Sequence, residues 1–210
     1  LNSISMAASV FLISGGRVAE QLDIAARITR NVTTMNRLIG DLLSYAGAQI
    51  GREIPIILEE ANMENVCKIS LEEVQTAYPD ANLNFERSRD LKGRIDSARI
   101  QQVLTNLLNN ATKYGQSDTP ITLSAAGEAE AIILKVRNFG KTIPSESLQV
   151  IFNPLIQLPT DESTTNFHPA TSIGLGLFIA REIVKGHHGT IEVISSEMEG
   201  TVFIIKLPRN

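Results

Sequence analysis

The run QQVLTNLLNNATKYG sets Asn106 and Asn110 four residues apart, followed by Lys113 and Tyr114. On a helix, residues at that spacing share a face. Two amides, an ammonium and a phenol presented together could bind magnesium and polyphosphate, because amide oxygens coordinate Mg2+ and an ammonium neutralises phosphate. The plain alternative is an amphipathic helix whose polar face meets water. Asparagine is a mediocre helix former, so Asn106, Asn109 and Asn110 within five positions raise the case for chemistry.

A second signal is Ser172-Ile173-Gly174-Leu175-Gly176-Leu177, which runs into FIAREIVKG. Glycines ahead of a helix permit close backbone approach, and free N–H groups at a helix start can receive phosphate oxygens. No Gly-Lys-Ser/Thr comes after it, and the third glycine of a dinucleotide fingerprint is missing, so neither of those phosphate motifs is present. Taken alone, such a turn is as easily structural as phosphate-binding. His168, His187 and His188 lack the further ligands that a metal site needs. Helix termination or packing is the expected role of His187 and His188. Cys67 sits in an apolar helical pattern and reads as buried filler, while Glu59, Glu60, Glu72 and Glu73 read as solvated faces.

The elements that must carry these residues can be placed from periodicity. Residues 1–13 resemble the end of a helix broken at Gly15 and Gly16. From Val18 to Ala46, apolar positions at Leu22, Ala25, Val32, Ile39, Leu43 and Ala46 recur at helical spacing, with Ile28, Met35, Leu38 and Leu42 widening the stripe. A helix of roughly 43 Å with so wide an apolar face calls for a partner, and dimerisation through a bundle supplies one. The competing expectation is a long helix lying on its own globular domain. A boundary is expected near 48–53. Beyond it, strands are expected at 54–58, 82–85, 94–95, 121–124, 131–136, 190–194 and 201–207. Helices are expected at 63–77, 97–113 and 175–185, with loop and lid-like sequence from 138 to 172. Loose alternation of this kind favours a mixed sheet with helices on one face, a two-layer α/β sandwich.

Composition agrees with one or two small globular domains: 210 residues, 43% hydrophobic and 20% charged. The formal net charge of -4 argues against a broad nucleic-acid surface. Cys67 is the sole cysteine, so neither an internal disulfide nor a thiolate zinc cluster can form within the chain. No apolar run reaches membrane-spanning length and no secretory leader opens the sequence. The expectation is a cytoplasmic portion without membrane contact of its own, the parent being soluble or attached through an upstream region.

Together these motifs resemble a bacterial two-component sensor histidine kinase along essentially the whole chain. NLLNNATKYG is similar to that family's asparagine box, VRNFGKTIP to its first glycine box, IFNPLIQ to its phenylalanine box and SIGLGLFIAREIVKGHHGTIEV to its second glycine box. LNSISMAASVFL resembles the stretch immediately after the phosphoacceptor motif in phytochrome-like kinases. The resemblance implies an α+β chain: a truncated dimerisation and phosphotransfer helical hairpin over 1–50, then an ATP-binding sandwich of the Hsp90, gyrase and histidine kinase type over 51–210. It further implies ATP and Mg2+ as ligands, a homodimer through the hairpin, and a response-regulator receiver domain as partner, with no nucleic acid. Asn110 would be the principal magnesium ligand and Asn106 its neighbour, Lys113 would face phosphate, and Tyr114 would line the nucleotide pocket. Asn138 stands where an aspartate usually accepts the adenine amino proton. Gly140, Phe152, Gly174, Leu175, Gly176 and Leu177 would complete the pocket. Thr142, Asn153, Leu155 and Ser172 depart from the usual residues, and the acceptor histidine is expected six positions ahead of Leu1. The expected activity is autophosphorylation on that histidine and transfer to a regulator. The alternative is a non-catalytic dimerisation and regulatory module with weak or no ATP binding; an ATPase of the wider superfamily is a further possibility.

Overall fold

A computed structural model describes residues 18–88, 90–157 and 173–209. The expectations for residues 1–13, Ser172 and His168 fall outside them. Helix α1 spans Val18–Gln49 and ends in a Schellman-type cap. The Arg52 N–H bonds the Gly47 carbonyl and the Gly51 N–H that of Ala48, both at 3.0 Å, with Gly51 at φ 76°.

The sequence leads one to expect a strand at 54–58, but that segment joins no sheet among the described residues; the strand β1 is Glu59–Asn62. Pro55 has no N–H to give to a ladder. Ile54 and Ile56 instead pack on the core, with Ile56 lying against Gly186, and the Ile57 N–H is donated to an Asp96 carboxylate oxygen at 3.0 Å. Strand β1 pairs antiparallel with β3 (Lys92–Ile95) as a small separate sheet.

Between those strands lie α2 (Met63–Ala77) and β2 (Leu83–Ser88). The Asn62 side chain caps α2 by accepting the Glu64 N–H at 3.0 Å, and Pro79 lies just past the helix end. Helix α3 (Ser97–Tyr114) is capped in the same way by Asp96, which accepts the Arg99 N–H at 3.0 Å. After it come β4 (Ile121–Gly127), β5 (Ala131–Asn138), the short α4 (Ser145–Leu148), α5 (Gly176–Gly186), β6 (Thr190–Ser196) and β7 (Gly200–Pro208). Strand β5 runs two residues further than periodicity indicates, so Asn138 ends a strand rather than opening a loop.

The main sheet has the order β2-β4-β5-β7-β6, with β2 parallel to β4 and every other pair antiparallel. Period-two alternation buries Ile132, Leu134 and Val136 of β5 and Phe203, Ile205 and Leu207 of β7, while Lys135, Arg137 and Lys206 point outward. The buried stripes of α2, α3 and α5 close over that face in one continuous core. This is the expected two-layer α+β architecture. The C-terminal part of α1 leans on the same domain. Tyr45 meets the Phe178 ring edge-on at 5.8 Å, and the buried Asp41 accepts from the Gln102 amide at 3.5 Å. Val32, Ile39, Leu42 and Leu43 remain exposed along α1.

Candidate functional site

Helix α3 brings the two glycine turns together. At one end of its polar row, Asn106 is buried and its side-chain nitrogen donates to the Gly176 carbonyl at 3.1 Å. A Cβ on Gly176 would sit 3.5 Å from the Asn106 amide carbon, so the first turn of α5 lies directly against this side chain. At the other end, a Cβ on Gly140 would collide with the Tyr114 carbonyl. Gly115 and Gly140 form an isolated bridge, and the Gln116 N–H bonds the Phe139 carbonyl at 2.7 Å. Asn110 lies between the two ends, one turn from each, and is half-buried.

The second glycine turn is fixed from below. Gly174 has φ 76°, a conformation that disfavours any Cβ, and its carbonyl accepts the Leu155 N–H at 2.9 Å. Leu175 is the N-cap of α5 and offers no side-chain cap, so the first N–H groups of that helix are left for an outside acceptor. Its own side chain is in the core, which leaves only its backbone for ligand contact. Leu177 is half-buried against the same core. Lys113, in the last turn of α3, holds its ammonium 4.9 Å from the centre of the partly exposed Tyr114 ring.

Strand β5 delivers Asn138, 5% exposed, to the core-facing side at the strand's end. Phe152 is buried and meets Phe203 edge-on at 6.2 Å, so its ring braces the core beneath this region. Two residues that the sequence reading overlooked stand beside Asn138. Thr201 is its direct partner on β7, and the Thr201 and Ser195 hydroxyls are 2.7 Å apart. Ser195 also accepts the Ile143 N–H at 2.9 Å. The available signal was the polar residue in Gly200-Thr201-Val202-Phe203 at a core-facing position of an otherwise apolar strand.

The histidines split as their settings require. His187 is buried; its Nδ1 lies 2.8 Å from the Ile183 carbonyl and its Nε2 accepts the Asp96 N–H at 3.1 Å. Both ring nitrogens are thus engaged in packing α5 against the start of α3. His188, at φ 57°, continues the chain out of α5. No group of three or more His, Cys, Asp or Glu suited to a metal ion exists among the described residues. Any divalent cation here would be held by amide oxygen together with a ligand's own oxygens, a pattern that suits Mg2+. The Asn106 amide fits that role, since its nitrogen is spent on Gly176 and its oxygen is not. A separate cavity of about 400 Å3 lies between the end of α2 and the 115–121 segment, and contains none of the eleven residues singled out by sequence.

Residues 95–210 match the family model of the histidine kinase-, DNA gyrase B- and HSP90-like ATPases. The sensor protein SrrB of Staphylococcus aureus is 32% identical over 180 residues, covering 83% of this chain and 30% of its own length. The chain therefore spans about a third of the length of such relatives. Among solved structures, the catalytic domain of histidine kinase ThkA is 29% identical with a TM-score of 0.60, over 73% of this chain and 96% of that one. The structure of ThkA in complex with response regulator protein TrrA aligns at 24% identity and a TM-score of 0.65, over 100% of this chain and 58% of that one, a likeness of fold.

Proposed function

The chain belongs to the histidine kinase-, DNA gyrase B- and HSP90-like ATPase family, and from that premise we propose that residues 51–210 are the ATP-binding, kinase portion of a sensor histidine kinase. Residues 1–50 are the dimerisation and phosphotransfer part, which pairs with a second copy through the exposed apolar side chains of α1. The observation that carries this reading is the Asn106–Gly176 hydrogen bond, which joins the polar row of α3 to the uncapped start of α5.

In this reading the triphosphate sits at the first turn of α5, where the unshared N–H groups and the helix dipole favour negative charge. Asn110 and Asn106 turn amide oxygens toward the metal, and Lys113 approaches phosphate oxygens. Magnesium, when bound, offsets phosphate charge. Tyr114, Gly140 and Asn138 receive the nucleoside end, while Phe152 keeps the floor rigid. The contribution of the chain is positioning and charge neutralisation. The acceptor is the histidine expected six positions ahead of Leu1, upstream of residues 1–50, and the phosphoryl group passes on to the aspartate of a response regulator. A histidine kinase relative seen with a response regulator protein supports that partner class.

The test is saturable MgATP binding by the chain, and labelling of a longer chain that includes the expected histidine, each with and without Asn110→Ala. Binding and labelling that depend on Asn110 support the kinase. Absence of saturable binding at millimolar ATP removes it and favours a regulatory module, to which Asn138 and Leu155 already lean by replacing a carboxylate and an aromatic.

A further inference from the structure

We propose that the base end of this site accepts a 6-oxopurine nucleotide about as well as a 6-aminopurine one, because the group that reads the base edge is the Asn138 amide. The proposal rests on the nucleotide reading above and specifies its substrate class.

Core-facing residues on β5, β7 and β6 form lateral rows. Val136, Phe203 and Val193 lie side by side across the three strands, and two residues further along Asn138, Thr201 and Ser195 occupy the same three places. The change from an apolar row to a polar one marks where the core stops and a ligand-facing surface begins. Ser195 and Thr201 are committed to each other and to the Ile143 N–H. The Asn138 side chain is not: it is 5% exposed and bonds to no described residue. A buried amide in that position is satisfied by water or by a ligand.

The length of α3 decides which end of a nucleotide meets it. Asn106, at the start of α5, and Tyr114, at Gly140, are eight residues apart, about 12 Å along the helix. Phosphates held at α5 therefore direct the base toward Tyr114, and Asn138 precedes Gly140 by two residues.

A carboxylate only accepts hydrogen bonds, whereas an amide has an acceptor oxygen and a donor nitrogen. Adenine offers an N–H donor at position 6 and an acceptor at N1. Hypoxanthine and guanine offer an acceptor oxygen at position 6 and a donor at N1. Turned one way, the Asn138 amide matches the first pair; rotated by half a turn, it matches the second. A carboxylate in that place would set an acceptor against the 6-oxo group, the kind of repulsive element on which discrimination depends.

The experiment measures displacement of a fluorescent ATP analogue by ATP, ITP and GTP, with Mg2+, on the whole chain and on Asn138→Asp and Asn138→Ala. ITP is the decisive probe, since it differs from ATP only at that base edge. Expected are ATP and ITP affinities within about threefold on the unaltered chain, and a separation of at least about tenfold in favour of ATP for Asn138→Asp, or about 1.4 kcal/mol. Asn138→Ala should weaken both to similar extents. A preference of about tenfold or more for ATP on the unaltered chain overturns the proposal while leaving the ATP site intact. An Asn138→Asp protein that folds yet keeps the original ratio overturns it equally; if that variant does not fold, the ratio on the unaltered chain decides. Failure of every nucleotide to bind overturns the ATP-site reading and this proposal with it.

Discussion

Burial denies the Cys67 thiol the water that a thiolate needs and, with a smaller push from the Glu64 carboxylate, raises its pKa to about 12. Because folding favours the neutral thiol, its contribution to stability is intact below the ordinary value of 9.0 and is lost as pH rises from there toward 12. The thiolate is the nucleophile, so a disulfide reagent at pH 8 should leave the native protein unlabelled and react fully once it is denatured; absorbance of the released thiol product reads this directly. His187 carries a different load. His187→Ala removes the ring and leaves the Asp96 N–H without its acceptor, which should cost about 3 kcal/mol in urea unfolding. At this scale the sequence is uneven in what it discloses. Asn106 and Asn110 stand out by their spacing alone, and the packing expected of His187 is what its two ring nitrogens do. The Asn106 partner is 70 residues away and no local pattern points to it. Ser195 and Thr201 look like ordinary strand residues until β6 and β7 are laid side by side.

Among elements, the helices were legible because their apolar period is unmistakable, and α2, α3 and α5 stand within two residues of their expected bounds. Strands were harder to delimit. Ile54 to Leu58 has the composition of a strand, yet Pro55 and the attraction of Ile54 and Ile56 to α5 turn it into a strap over the domain. The joint between the second glycine turn and the 155–156 segment makes its own demand. A Cβ on Gly174 would lie 2.8 Å from the Ile156 carbonyl oxygen, on a backbone already at φ 76°. Gly174→Ala should therefore destabilise the protein by about 2 kcal/mol from the left-handed backbone and the close contact together. It should also weaken MgATP binding more than the drop in thermal midpoint would suggest; calorimetry and a binding titration on the same sample separate the two effects.

For the molecule as a whole, the exposed apolar side chains of α1 bear on assembly. Ile39 and Leu43 are 53% and 68% exposed. If a second copy covers them, Ile39→Glu with Leu43→Glu should convert a dimer into a monomer in sedimentation equilibrium, without moving the unfolding midpoint of the α/β domain; a sedimentation profile unchanged by both substitutions would count against pairing through this face. Trypsin provides a complementary reading, since Arg52 comes directly after the Gly51 turn while the residues beyond it are held down by Ile54, Ile56 and the Ile57–Asp96 bond. The first cut should fall after Arg52 and release an intact domain. The apolar stripe of α1 led to the expectation of a partner helix; Asp41 and Tyr45, which seat its C-terminal part on its own domain, could not be assigned a side until Phe178 and Gln102 were in place.

The strap fastened at Asp96 changes the mechanics of that long helix. With 54–57 held against the domain, the Gly51 turn, at φ 76°, would serve as the fulcrum for any tilt of α1, a helix of 32 residues, about 48 Å long. Tilting it by about 10° would carry the far tip through about 8 Å on that length. Tyr45 grips Phe178 only six residues from the fulcrum, on a short arm of about 9 Å. On those lengths, an ångström-scale shift of α5 at that aromatic pair would be magnified about fivefold at the distant end of the lever, about 48 Å against 9 Å.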